Sequence, residues 1–371
     1  MTRPWQLSPL LILSLAAGCP TGDLVTDDDD DDDSPVGLTV HDPDRAWAGY
    51  TLYSGRWTEE AHLLDMEGQV VHSWSFPQDL DWCYAELQPD GSLVVIVKEL
   101  EDQVDGMFFE LSWDGELLRR IDMPVHHDFV RKDDGNTVLL CREYVSDDEI
   151  HPGGLKSDYL VEVTPDDERV WEWHAHEHAL KLQTLVDVDF PRADRDWAHT
   201  NTVELLPAGP AADADPRFAE GNVLFSMCNM DTIGVIEPAS GEVVWAWGPG
   251  IVQKQHMPTM LDNGNLLIFD NGTERGWSRI LELDPVTEQV VWSYVADPPQ
   301  AFFSAIRSGN QRLPNGNTLI TESDRGRIFE VTMEGDIVWE WITPDLFADT
   351  DQAMPIYRSA RYAPEVIEPR L

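Results

Sequence analysis

Histidines at recurring positions are the residues of this sequence best suited to do chemistry. Among eleven histidines, three lie directly before stretches with the pattern of hairpin strands: His127, His199 and His256. His127 and His256 each lie eight residues before a turn glycine, Gly135 and Gly264 respectively. If these stretches are equivalent parts of a repeat, equal spacing brings the imidazoles to one height around a common axis.

A group of converging imidazoles has two chemically sensible uses. Three imidazoles can hold a transition-metal ion, with Asp128 as the outer partner that orients a ligand ring. Alternatively, one imidazole is a nucleophile while its neighbours stabilise an anionic group during its transfer. The spacing alone does not separate these two uses.

A repeat that ends in tryptophan supplies the elements that position the histidines. Each copy has a glycine-containing turn, two apolar residues and Trp-x-Trp or a related triplet; the copies begin at Val70, Leu117, Arg169, Val243, Val290 and Ile337. Successive copies start 47, 52, 74, 47 and 47 residues apart, so the interval of 74 is a repeat with an insertion. A period of about 40–50 residues is typical of propeller blades.

Two further elements complete the repeat. Asn-Gly or Asp-Gly turns, which supply the positive φ angles of tight hairpins, precede apolar runs such as 137–140, 266–268 and 318–320. Strands of alternating apolar and polar residues follow, as in 278–284 and 326–331. Repeated six times, this order predicts an all-β, six-bladed β-propeller. The tryptophans are expected to pack between blades, and the histidines are expected to line the central channel.

Several strings of the sequence resemble the bacterial arylsulfotransferase family. They include Trp197-Ala198-His199-Thr200-Asn201, Gln255-His256 followed by Phe269-Asp270-Asn271-Gly272, and the runs 50–53, 311–320 and 356–362. The similarity is colinear over residues 45–364. It implies a six-bladed propeller that transfers sulfate from a phenolic sulfate ester to another phenol, without a nucleotide donor and without a cofactor.

The resemblance also implies roles for individual residues. His256 matches the nucleophile that carries sulfate as a sulfohistidine. His127 and His199, with Asn201, would hold the sulfuryl oxygens or handle the phenol proton. The remaining candidates for substrate binding are His126, Cys228, Asn229, Arg307 and Arg312.

One position departs from the family pattern. Where the family has Ser-x-Arg, with the arginine in the sulfate site, this chain has Ser226-Met227-Cys228. A guanidinium is the natural bidentate clamp for a tetrahedral oxyanion, and its loss matters more on a surface that repels anions. Arg307 and Arg312 are the candidates to replace it. The alternative function is a ligand-binding or scaffold propeller that kept the channel but lost sulfotransfer.

The first 44 residues have the pattern of an export signal and a tether. Arg3, the apolar run 10–17 and Gly18-Cys19 resemble a bacterial lipoprotein signal, in which Cys19 becomes the lipidated first residue; an ordinary secretory signal is the alternative. Seven consecutive aspartates at 27–33 predict a disordered acidic linker over 20–44. The expected organisation is a signal (1–19), this linker and a propeller (45–371), located in the periplasm or cell envelope and held at a membrane only by lipid.

Composition excludes some classes of protein. Because 25 Lys+Arg stand against 69 Asp+Glu, the net charge is −44, which argues against a nucleic-acid partner. Three cysteines follow Cys19, which allows at most one disulfide, so disulfides are not expected to hold the fold together; they also lack zinc-type spacing. His174-x-His176-x-His178 would put three imidazoles on one face of a strand, as for a metal, but an exposed loop at a blade exit is the favoured interpretation.

Overall fold

The computed structural model of the protein describes residues 36–56, 58–76, 82–97, 106–146, 150, 153–187, 195–347 and 352–371. In the first half of the chain, the strands are β1 (Gly37–His41), β2 (Tyr50–Gly55), β3 (Glu60–Leu64), β4 (Val70–Ser75), β5 (Trp82–Leu87), β6 (Leu93–Val97), β7 (Met107–Leu111), β8 (Leu117–Ile121), β9 (Val125–Arg131), β10 (Thr137–Val145), β11 (Leu155–Val163) and β12 (Arg169–His174). In the second half they are β13 (Thr200–Leu205), β14 (Val223–Met227), β15 (Thr232–Glu237), β16 (Glu242–Trp247), β17 (His256–Met260), β18 (Leu266–Asp270), β19 (Arg279–Asp284), β20 (Gln289–Tyr294), β21 (Gly309–Arg312), β22 (Thr318–Glu322), β23 (Arg327–Val331), β24 (Ile337–Ile342) and β25 (Ile356–Tyr362). The helices are α1 (Ala179–Val186), α2 (Pro210–Ala214) and α3 (Pro364–Ile367), with short 3-10 turns between strands.

The described strands build six antiparallel sheets, which confirms the six-bladed propeller. We number the blades in chain order: β25-β2-β3-β4, β5 to β8, β9 to β12, β13 to β16, β17 to β20, and β21 to β24 with β1 at the outer edge. The 74-residue interval contains α1, between blades 3 and 4, and α2, inside blade 4. No helix of the described part is long and apolar enough to cross a membrane.

Both ends of the propeller sequence close the ring of blades. β25 is the inner strand of blade 1, and β1 pairs with β24 from Gly37↔Ile342 to His41↔Trp339. The expected start of the propeller at residue 45 is therefore too late. The physical reason is that the open edge of β24 offers unpaired backbone groups, while Leu38 packs against the apolar cluster around Trp341. The signal, Cys19 and the linker up to residue 35 lie outside the described residues.

The turns and outer strands form where the repeat predicts them. The turn glycines Gly135, Gly264 and Gly316 have φ angles of 89°, 85° and 89°, in the left-handed region. The six Trp-type copies lie in the outer strands β4, β8, β12, β16, β20 and β24. Their indoles reach the next blade: Trp173 Nε1 donates to the carbonyl of Gly241 and Trp339 Nε1 to that of Met66, both at 2.9 Å. Packing of tryptophans between blades is confirmed.

Polar side chains of the third strands are also buried between blades. Although 278–284 and 326–331 alternate in polarity, most residues of β19 and β23 are buried on both faces. Glu282 pairs with Arg312 of the next blade, and Glu330 pairs with Arg361 in the same way. Glu282 and Glu330 of the alternating pattern thus form ion pairs with the next blade, while the apolar residues pack in the core.

Candidate active site

The entries of three inner strands bring the predicted histidines together. The ring centroids of His127, on β9, and His199, just before β13, are 4.9 Å apart. Their φ angles are 60° and 49°, in the left-handed region that non-glycine residues adopt only when their surroundings hold them there. The register of β9 and β13 with the neighbouring strands shifts at these points. These bulges aim the two rings out of the strand pattern and toward each other.

A chain of polar contacts orients His127. Nδ1 of His126 lies 2.6 Å from Nδ1 of His127, and Nε2 of His126 lies 3.2 Å from Oδ1 of Asp158. At 2.6 Å the two Nδ1 atoms share one hydrogen bond, so that one ring donates and the other accepts. Burial lowers the pKa of His126, and it lowers that of His127 far below the ordinary value; the Arg142 charge acts in the same direction. His126 thus positions His127, although the sequence suggested a substrate contact.

A second carboxylate orients His199. Nδ1 of His199 lies 2.8 Å from Oδ2 of Asp196, which is also 3.3 Å from Nζ of Lys156. Burial alone would raise the pKa of Asp196, but the hydrogen bond and charge of His199, with Lys156, hold it well below its usual range. The ionised carboxylate accepts the Nδ1 proton of His199. Sequence reasoning missed Asp158 and Asp196; the three-residue spacing of Asp196 and His199 was the available signal.

His256 is buried with a defined tautomer. Its Nδ1 lies 2.8 Å from Oδ1 of Asn271 and 2.9 Å from the Lys254 carbonyl. The Asn271 amide donates from Nδ2 to the carbonyls of Ser304 and Arg307, so its Oδ1 must be an acceptor. The proton of His256 is therefore on Nδ1, and Nε2 carries the lone pair, which accepts the backbone N–H of Arg307 at 3.2 Å. Burial lowers the pKa of His256 to about 3.

Asn201 and Gln255 connect the strand entries of blades 4 and 5. Nδ2 of Asn201 donates to the Gln255 carbonyl at 2.9 Å, and its Oδ1 accepts from Thr202. Nε2 of Gln255 donates to Ser226 Oγ and to the Thr232 carbonyl, both at 3.0 Å. The side chain of Asn201, expected to contact the sulfuryl group, is instead occupied in fixing the residue before His256.

A buried arginine from the closing strand lies close enough to His256 for its charge to lower the pKa of that ring. Arg358 of β25 donates to Oδ2 of Asp128 at 3.0 Å and to the carbonyl of Asn201 at 2.6 Å, and its guanidinium lies over the rings of Tyr84 and Tyr357. Asp128 also accepts the N–H groups of Phe129 and Val203. The expectation that Asp128 orients a ligand histidine is therefore wrong: it points to Arg358, while Asp158 and Asp196 contact the imidazoles.

Cys228 lies beside His199 but brings no charge. Its N–H donates to the His199 carbonyl at 3.2 Å, and burial raises the thiol pKa to about 12. The neighbouring Asn229 donates to the Asp196 carbonyl and accepts from Nζ of Lys254 at 2.9 Å. Lys254, whose charge acts on the Cys228 thiol, is the cation that the structure places here.

The two arginines expected to replace the family arginine have other partners. Nη1 of Arg307 lies 3.5 Å from Asp324. Arg307 contacts His256 through its backbone N–H. Arg312 pairs with Glu282 at 2.7 Å and lies over the Trp292 ring. Among the described residues, the cations whose charges act on the histidines include Arg142 and Arg358. Neither was singled out as a site residue from the sequence.

The site thus combines imidazoles and buried cations at the entries of the inner strands of a six-bladed propeller. The arylsulfotransferase (ASST) family model matches residues 106–343, which is more than half of the chain. The chain therefore belongs to the arylsulfotransferase family. A comparison with curated proteins found no match.

Solved structures share the fold at low sequence identity. A protein of unknown function from Bacteroides caccae has a TM-score of 0.56 and 14% identity, over 85% of this chain and 99% of that chain. A streptogramin B lyase has a TM-score of 0.48 and 14% identity, over 84% of each chain. A catalytically inactive virginiamycin B lyase from Staphylococcus aureus, with quinupristin, has a TM-score of 0.48 and 12% identity, over 88% of this chain and 91% of that chain. The first of these supports the propeller fold and carries nothing about function.

Proposed function

We propose that this protein transfers sulfate from an aryl sulfate ester to a phenolic acceptor, with His256 as the residue that carries the sulfuryl group. The observation that carries the proposal is the tautomer of His256, because its lone pair is on Nε2 while Nδ1 donates to two fixed acceptors. A buried, neutral imidazole of this kind is a competent nucleophile. Membership of the arylsulfotransferase family supports the reaction class.

In the first half-reaction, Nε2 of His256 attacks sulfur and forms an N–S bond while the ester S–O bond breaks. The leaving group departs as a phenolate and takes its proton from water. The sulfated ring keeps its Nδ1 proton and becomes cationic, so that Asn271 Oδ1 and the Lys254 carbonyl stabilise it. The Arg307 N–H must leave Nε2 before attack, and a sulfuryl oxygen can then accept it.

In the second half-reaction, the acceptor phenol attacks the same sulfur. His199 Nε2 takes the phenol proton, the N–S bond breaks and His256 returns to its neutral form. His199 suits this role because Asp196 holds its other nitrogen, while about a third of its side chain is exposed (30%) and can return the proton to water. Lys254 and Arg142 supply the positive charge that offsets the sulfuryl oxygens.

The test is intact-mass analysis of the full chain after incubation with a chromogenic aryl sulfate, with and without a phenol. We expect a sulfate-sized mass addition that disappears when the phenol is added and that His256→Asn never forms. His199→Asn should slow turnover by about 10²–10⁴-fold and still accumulate the sulfated enzyme. His178→Asn, which changes a histidine at a blade edge, is the matched control.

Two results would contradict the proposal. A His256→Asn protein that still accumulates the sulfated enzyme would remove His256 as the carrier. Absence of phenol release above background by the wild type would favour the alternative of a binding propeller that has lost the chemistry.

A further inference from the structure

A second group of potential ligands lies in blade 3, away from the channel histidines. Glu143 is near the end of β10, His174 ends β12, and His176 is in the 3-10 turn 175–178 that follows. Oε1 of Glu143 is 3.0 Å from Nδ1 of His174 and 3.2 Å from Nδ1 of His176. One potential ligand atom from each of the three residues lies within 4.8 Å of the other two. In the described part of the chain, these three residues form the trio of His, Cys, Asp or Glu side chains that is close enough to bind one ion together.

The two distances from Glu143 to the histidines are close to those of a tetrahedral metal site. Zinc binds imidazole nitrogen and carboxylate oxygen at about 2.0–2.2 Å, so that neighbouring ligand atoms of a tetrahedron lie about 3.3–3.5 Å apart. The separations of 3.0 Å and 3.2 Å from Glu143 need only a small expansion to admit the ion, and the ligand atoms of the two histidines lie within 4.8 Å of each other. Two imidazoles and one carboxylate leave a fourth position for water.

Neighbouring groups hold the His174 ring in a ligand orientation. Oε2 of Glu172 is 3.8 Å from Nε2 of His174, which is longer than a hydrogen bond but on the side where an outer carboxylate lies in a metal–histidine–carboxylate arrangement. The same ring stacks on Tyr159, with centroids 5.4 Å apart and planes at 14°. His178 is not part of the trio because it stacks on Trp173, with centroids 4.8 Å apart. The three alternating histidines therefore do not share one strand face; a 3-10 turn separates their directions.

We propose that Glu143, His174 and His176 bind one transition-metal ion of the zinc class, with water as the fourth ligand. The ion connects β10 to the exit of β12 and the turn that leads into α1, so it stabilises the start of the insertion between blades 3 and 4. None of these three residues is among those proposed for sulfotransfer. It is half-buried, so the ion can enter from solvent.

The test is titration of the purified full chain, freed of metal by chelator, with Zn²⁺ alone, followed by competition with a chromogenic chelator. We expect one Zn²⁺ per chain and a higher Tm of the wild type. Both effects should be lost, with affinity lowered at least 100-fold, in Glu143→Gln and His176→Ala. His178→Ala is the matched control and should bind as the wild type does.

Three outcomes would overturn the proposal. The first is no uptake of Zn²⁺ by the wild type at micromolar concentration. The second is unchanged stoichiometry in both Glu143→Gln and His176→Ala. The third is loss of the ion in His127→Asn with retention in His176→Ala, which would place the metal among the channel histidines. Both ligand variants change partly exposed side chains, and circular dichroism identifies a variant that fails to fold, so either one suffices for the test.

Discussion

The protonation state of each channel histidine is set by the groups that surround it. Asn271 and the Lys254 carbonyl hold the proton of His256 on Nδ1, and Asp196 does the same for His199. Burial disfavours the charged form of His256 and His127. The rings of His256 and His127 are therefore held in the neutral form, which suits nucleophilic and base chemistry near neutral pH.

Acid should destabilise the fold through His256. Its folded pKa of about 3 lies below the ordinary value of 6.5, so between these values the unfolded chain binds a proton that the folded chain does not. The contribution of the neutral His256 ring to the unfolding free energy is fully present above pH 6.5 and is lost as the pH falls toward 3. From pH 7 to pH 4, we expect the wild type to lose more unfolding free energy than His256→Asn, by up to about 3 kcal/mol. Urea denaturation at both pH values measures this; equal losses in the two proteins would show that the ring does not titrate in this way.

The charge beside Cys228 should control sulfate binding. Because the buried thiol is neutral, Lys254 is the cation available next to it. We expect Lys254→Met to lower kcat/KM for an aryl sulfate at least tenfold, and Cys228→Arg to raise it by a similar factor. Lys181→Met on the exposed face of α1 is the control for the general loss of a positive charge. A Lys254→Met protein with unchanged kcat/KM would exclude Lys254 from the site.

Ion pairs between the third strand of one blade and the inner strand of the next recur around the ring. Glu110 and Arg131 join blades 2 and 3, and Arg361 of β25 joins blade 1 to Glu330 of blade 6. The latter side chains are fully buried, whereas Glu110 and Arg131 remain 14% and 27% exposed. The two ion pairs occupy equivalent positions in the repeat, but the buried pair Glu330–Arg361 costs more free energy to remove from water than the partly exposed pair Glu110–Arg131.

Breaking the buried pair should be costly. Glu330→Ala leaves the Arg361 charge buried without its carboxylate, and we expect a loss of about 3–5 kcal/mol of unfolding free energy. The double variant Glu330→Leu, Arg361→Met should recover much of that loss, because neither charge then remains. Glu110→Ala at the more exposed equivalent should cost about 1 kcal/mol or less. Chemical denaturation compares them; equal losses at the two pairs would mean that burial is not the decisive difference.

Taken as a whole molecule, the protein is strongly acidic, yet the channel histidines lie among cations. The net charge of −44 would repel an anionic substrate at a distance. Arg142 and Arg358 nevertheless act on the histidines from buried positions, where solvent screens them less. Buried carboxylates accompany these cations, since Asp128 pairs with Arg358 and Asp158 lies beside His126, so the charge at the site depends on a few buried side chains rather than on the overall composition.

We propose that the acidic molecule is held at a membrane through Cys19. If Cys19 is lipidated, Cys19→Ser should move the protein from the membrane pellet to the soluble fraction after cell lysis and abolish incorporation of a labelled fatty acid. The reason is that acyl chains supply the apolar anchor. Cys83→Ser is the matched cysteine control. Recovery of both the wild type and Cys19→Ser in the soluble fraction, without label in either, would support an ordinary secretory signal instead.

Short stretches of sequence determined the blade architecture. The turns at Gly135, Gly264 and Gly316 and the Trp-ended strands were predictable, because turn chemistry and hydrophobic periodicity operate within a few residues. The period of 47 residues indicated that each copy forms an equivalent blade. Histidines at the start of equivalent strands were therefore expected to lie close together, as His127 and His199 do. β1 was missed because its pairing with β24 joins residues about 300 positions apart.

Only the tertiary structure decided which partners the site residues have. Asp196 is local to His199, but Asp158 comes from β11 and Asn271 directly follows β18. Arg358 reaches Asp128 only because β25 closes the ring of blades. Residue types and repeat spacing thus determined that imidazoles converge, whereas their tautomers and surrounding charge depend on contacts that exist only after six blades have packed, since burial and hydrogen bonding are properties of the assembled interior.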